Sequence, residues 1–128
     1  MAYLTDMRFA QDSTSAPNVI RAYAAGEIRI GDATFRGPLI LSASQIVPGP
    51  AVERADALTA AHAAALLALE PELVLIGTGA RQIFPADEFG AQFLRQGVGF
   101  EVMDTGAACR TFNVLVTEQR RVVALLLD

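Results

Sequence analysis

Leu73-Val74-Leu75-Ile76-Gly77-Thr78-Gly79 and Phe100-Glu101-Val102-Met103-Asp104-Thr105-Gly106-Ala107-Ala108-Cys109-Arg110 repeat one design. Each is a short apolar strand that ends in a turn of small residues before helix-compatible sequence. Two parallel neighbours of this kind bring both turns to the same edge of one sheet, where α/β proteins place their ligands. The unbroken apolar runs suit strands buried on both faces.

Outward from these stretches, the second half alternates. Ala57 to Leu69 is rich in alanine and leucine and reads as a helix, with Thr59 as N-cap and His62 at the third helical position where a capping box carries Glu. Glu70-Pro71 stops it, because proline cannot continue a helix and restricts the residue before it. Ala86 to Arg95 is a second helix, with Phe89 and Phe93 at i and i+4 facing the core and Gly97 closing it. Thr105 to about Thr117 is a third helix, and Val122 to Leu127 is a final strand.

The first half is β-rich. Asn18 to Ala24, Glu27 to Ile30, Thr34 to Arg36 and Leu39 to Leu41 predict a meander of short antiparallel strands, with turns at Ala25-Gly26, Gly31-Asp32 and Gly37-Pro38. Ile46-Val47 adds one more before Pro48-Gly49-Pro50. The expected fold is therefore α/β: one domain over 17–128 with a central mixed β-sheet and helices on its faces, preceded by a flexible N-terminal arm over 1–16.

Composition narrows the chemistry. The chain has 128 residues, 52% of them hydrophobic, and a mean hydropathy of +0.36, enough for a core without staples. Lone Cys109 and lone His62 exclude multi-Cys and multi-His metal centres, so neither a metal nor a cofactor is expected. All ten basic residues are arginine. Without lysine there is no P-loop and no Schiff-base chemistry. A net charge of −4 argues against nucleic-acid partners. No stretch reaches the roughly 20 apolar residues of a membrane span. The early Asp6 and Arg8 argue against a secretory signal. A cytoplasmic protein is expected, with peripheral membrane contact left open.

Gly97-Val98-Gly99-Phe100-Glu101-Val102-Met103-Asp104-Thr105-Gly106-Ala107-Ala108-Cys109-Arg110-Thr111-Phe112-Asn113-Val114-Leu115 also resembles a known family. Glu118, Arg121 and Val122 to Leu127 continue the match, and Leu75-Ile76-Gly77-Thr78-Gly79 is a second block. The family is the uncharacterised domain shared by bacterial and archaeal proteins, an adipogenesis-associated Mth-like domain protein and a mitochondrial complex I assembly factor. The resemblance runs from about Val19 to Leu127. It implies a single α/β domain with a central mixed sheet and, for eukaryotic relatives, a non-enzymatic role in assembling a membrane-bound respiratory complex. It carries over no catalytic residue.

The candidate ligand site is the pair of turns: Gly77, Thr78, Gly79, Thr105, Gly106, Arg110 and Asn113. Arg110, Asn113 and Thr117 share one helical face, while Ala108, Phe112 and Leu115 form the apolar stripe. A helix start offers N–H groups to an anion. Against this, Asp104 or Thr105 can cap the helix and use those donors, and Arg110 can pair with a carboxylate. A helix terminus and one charge-assisted hydrogen bond together reach about millimolar affinity. Gly77-Thr78-Gly79 lacks the third glycine of a dinucleotide fingerprint, since position 82 is Gln82. Cys109 is read as a small buried residue. Glu101 marks an edge strand or an arginine partner.

Two functions follow. The first is a non-enzymatic binding or assembly factor with a protein partner. The alternative is an anion-binding protein or enzyme that uses the Gly77–Gly79 and Thr105–Arg110 turns.

Overall fold

The computed structural model describes residues 16–24 and 26–128. The arm expected over 1–16 falls almost wholly outside them, as does Ala25 of the first turn. Eight strands and three helices follow in order: β1 (Ile20–Ala24), β2 (Glu27–Ile30), β3 (Ala33–Arg36), β4 (Leu39–Leu41), β5 (Ile46–Pro48), α1 (Ala60–Leu67), β6 (Leu73–Thr78), α2 (Asp87–Arg95), β7 (Gly99–Met103), α3 (Thr105–Thr117) and β8 (Val122–Leu127).

A mixed five-stranded sheet in the order β5-β4-β8-β6-β7 forms the centre. β6 lies parallel to both β7 and β8, with Leu73 opposite Gly99 on one side and Val122 on the other. β4 runs antiparallel to β8 and to β5. The chain steps outward from β6 to β7 and then back across β6 to β8. Right-handed crossovers therefore require α2 and α3 on opposite faces.

The period of two is legible in β8. Val122, Ala124 and Leu126 pack with Phe112 and Val116 of α3, while Val123, Leu125 and Leu127 pack with Leu66 of α1 and with Phe89 and Phe93 of α2. Burial on both faces explains why this strand contains no polar residue. On the α2 side, Phe93 stacks on Phe100 with ring centroids 5.1 Å apart, and Phe89 meets Phe93 edge-on at 5.2 Å. Such aromatic pairs add roughly 0.5–1.5 kcal/mol beyond the area they bury.

Two expectations are corrected. The meander holds only for β1-β2-β3, which form a separate antiparallel sheet; β4 leaves it and pairs with β8. Leu39 and Leu41 are buried in the core shared by α3, the large sheet and the isoleucines of β1 and β2. The first helix is shorter than Ala57 to Leu69. Thr59 has extended backbone and donates its N–H to His62 Nδ1 at 2.9 Å, so the helix begins after it, behind a single 3-10 turn over Ala55–Ala57. At the other end, Leu69 and Glu70 bond back to Leu66 and Leu67, and Glu70 turns left-handed at φ 58°.

β1 is tied to α3 rather than to the large sheet. Asn113 Oδ1 accepts from the Ile20 N–H and Asn113 Nδ2 donates to the Ile20 carbonyl, both at 2.8 Å. The amide thus makes the paired bonds that a neighbouring strand would make.

Candidate functional site

The two turns meet as their strand order requires, because β6 and β7 are adjacent and parallel. Thr78 at the end of β6 keeps its hydroxyl within its own loop, donating to the Arg81 carbonyl and accepting from the Ile83 N–H at 3.1 Å. Gly79 donates its N–H to Thr105 Oγ1 at 2.7 Å and accepts the Thr105 N–H at 2.9 Å. Thr105 Oγ1 in turn donates to the Leu127 carbonyl at 2.7 Å. One fully buried threonine therefore joins the ends of β6 and β8 to the start of α3.

The same end is packed by backbone. Gly77 lies against Thr105: a Cβ there would stand 3.0 Å from Thr105 Cα. At Gly79, whose φ is +97°, a Cβ would stand 2.5 Å from the Asp128 carbonyl oxygen. Only glycine fits both the dihedral and the space.

The helix start uses most of its own donors. Asp104 is the N-cap, and its Oδ1 accepts from the Ala107 N–H at 2.8 Å. The Ala108 N–H goes to the Asp104 carbonyl and that of Thr105 to Gly79. Of the four N–H groups from Asp104 to Ala107 that this helix start leaves open, those of Asp104 and Gly106 have no acceptor among the described residues.

The candidate residues thus fall into two groups. Gly77, Thr78, Gly79 and Thr105 are buried and bonded to one another or to their own loops. Gly106, Arg110 and Asn113 line an open groove of about 260 Å³ between α3 and β1, completed by Ile20, Arg21, Ala22, Tyr23 and Cys109. No carboxylate of the described residues forms an ion pair with Arg110. A second groove, of about 430 Å³, opens at the opposite end of the sheet beside Pro71, Val116 and Arg120. Arg120 is committed there to Glu72, at 3.0 Å.

Electrostatics agree with this division. Burial pushes the Cys109 thiol up to about 11, although the charge of Arg110 pulls the other way, so the thiol stays protonated and packs as a small apolar residue. Tyr23 is shifted upward by burial first and then by its neighbours Cys109, Asp128 and Asp104, against a hydrogen bond with Thr105. Glu101 is exposed on β7, the outermost strand, which accounts for the single charge in that run.

Arg21 and Tyr23 are the groove residues that sequence patterns missed. They are some ninety positions from Arg110, and no local signal links them. The bulge that sets Arg21 apart, between Ile20 and Ala22 in the pairing with β2, is visible only in the register.

The model of the family of proteins of unknown function DUF498/DUF598 matches residues 20–127. The "13 kDa major membrane protein" of Francisella tularensis is 30% identical, over 94% of this chain and 99% of its own length. "NADH dehydrogenase [ubiquinone] 1 alpha subcomplex assembly factor 3" of Danio rerio is also 30% identical, over 96% of this chain and 71% of its own length. A crystal structure of a Bordetella parapertussis protein superposes with a TM-score of 0.83 at 37% identity, covering 90% of this chain and 98% of that one. The match spans every strand and helix from β1 to β8, as the resemblance in the two turn blocks implied, and the chain belongs to the DUF498/DUF598 family.

Proposed function

We propose that this protein is a non-enzymatic binding factor that holds a protein partner during assembly of a larger complex. The observation that carries this reading is the relation to an assembly factor across almost the whole chain. The similarity extends over 96% of this chain and 71% of that relative, which supports a shared scaffold for the role. Consistent with this, the paired turns spend their polar groups on one another, with Gly79 and Thr105 exchanging two hydrogen bonds. Cross-linking in native cells followed by affinity capture of the chain tests the reading. One partner recovered in near-equal amount in repeated experiments is expected. A chain that elutes at monomer size from fresh lysate and cross-links to nothing above a mock control contradicts it.

A second reading, contact with a membrane surface, is favoured by the name of the Francisella relative. No helix among the described residues is long and apolar enough to cross a membrane, so such contact would be peripheral. Co-sedimentation with vesicles made from the source organism's lipids separates the two; a cytoplasmic protein that only binds protein stays in the supernatant.

A further inference from the structure

We propose that the groove between β1 and α3 is a binding site for a single carboxylate group, held between Arg21 and Arg110. Three features of the groove converge on that chemistry. First, its two cationic lining residues, Arg21 and Arg110, come from different elements, one from a strand and one from a helix. The Arg21 position interrupts the ladder with β2: Ile20 lies opposite Ile30 and Ala22 opposite Arg29, leaving Arg21 as the extra residue. Such a bulge re-aims a side chain that regular pleating would fix.

Second, Gly106 leaves room where a side chain would stand. A Cβ there would lie 3.4 Å from Asp104 Oδ1, 3.7 Å from Arg110 Nη1 and 3.8 Å from Tyr23 Cδ2. The space is thus bounded by the Asp104 carboxylate, the Arg110 guanidinium and the Tyr23 ring, and the Gly106 N–H has no acceptor among the described residues. Third, β1 has no strand on its outer side, so nothing in the described sheet closes the groove there.

The volume and charge select the ligand class. About 260 Å³ admits a group of a few heavy atoms, and Ile20, Tyr23 and Cys109 give it a partly apolar wall. Guanidinium groups match the planar carboxylate bidentately. Asp104 Oδ1, 3.4 Å from the Cβ position of Gly106, repels any anion and a dianion more than a monoanion, so a single carboxylate is favoured over phosphate. The carboxylate can belong to a free small acid or to a polypeptide, as an acidic side chain or a chain terminus. This inference stands independently of the assembly role.

Amide chemical shifts of the isotope-labelled full chain test it, with acetate, the acetylated tripeptide of alanine with a free C-terminus, its amidated form, and inorganic phosphate as probes. Saturable shifts at Gly106, Arg110 and Arg21 are expected with both carboxylates and not with the amide. Arg110→Gln and Arg21→Gln should each weaken binding tenfold or more, whereas Arg95→Gln, on another helix, should leave it unchanged. Tighter binding of the peptide than of acetate assigns the site to polypeptides, and equal binding assigns it to small acids. No saturable shift at tens of millimolar, phosphate binding more tightly than acetate, or indifference to both arginine substitutions overturns the proposal. A dispersed spectrum for each variant shows that it has folded, and both arginines are exposed, so loss of fold is not expected.

Discussion

Gly79 and Gly106 lie at the same edge of the sheet, and they do opposite things. At Gly79 the backbone is sealed: its N–H and carbonyl both go to Thr105, and the Asp128 carbonyl occupies the space above its Cα. At Gly106, next after Thr105 in the chain, the neighbours stand at ordinary contact distance and a groove opens toward β1. The difference shows that a glycine-rich turn at the carboxyl end of a parallel strand is not by itself a ligand cradle. What matters is where its donors go, and a single buried hydroxyl redirects them.

Alanine at the two glycines gives the widest contrast. Gly79→Ala meets a left-handed dihedral and a backbone oxygen 2.5 Å from the new Cβ, and should lose about 4 kcal/mol in denaturant unfolding. Gly106→Ala lies in helical backbone, with its nearest neighbours at ordinary contact distance, and should change stability by less than about 1 kcal/mol, in the stabilising direction. Equal losses at both positions would erase the distinction.

Thr105→Val keeps the shape and removes the hydroxyl, leaving the Gly79 N–H and the Leu127 carbonyl unpaired and buried. A loss of about 3 kcal/mol is expected. A smaller effect, about 2 kcal/mol, is expected for Asn113→Ala, which frees both Ile20 groups. That variant should also speed amide exchange in β1 and β2 while leaving β6 and β8 protected, because the small sheet is pinned to α3 through this amide.

The smallest effect concerns pH. Cys109 has its folded pKa raised from 9.0 to about 11, so the folded form keeps its proton after the unfolded chain has lost it. Its contribution to stability is complete below about pH 9 and is lost as pH rises through about 11. Cys109→Ala should flatten that part of the stability profile, and native Cys109 should react slowly with thiol reagents at pH 8.

Much of the large sheet was legible in sequence. The runs Leu73–Ile76 and Val122–Leu127 have no polar interruption, and Asp104 followed by Thr105 marks a helix start; β8 and α3 appear with the bounds expected. The small sheet was legible as strands but not as a separate unit, since Gly37-Pro38 reads the same whether the chain turns back or crosses to another sheet. The site was legible only on its α3 side. Burial at this end depends on Thr105 packing against Gly77 and bonding to the Leu127 carbonyl, and on Asp128 standing against Gly79, and Arg21 joins Arg110 through a bulge and a side-chain amide. Both are long-range contacts that leave no periodic trace.

Native-state amide exchange at Gly79 and Gly106 is the most direct test of the sealed turn beside the open groove. Gly79 should be protected to the same degree as the central amides of β6, with Gly106 exchanging orders of magnitude faster. Fast exchange at Gly79, or protection of both amides alike, would contradict the division of this edge into a closed half and an open one.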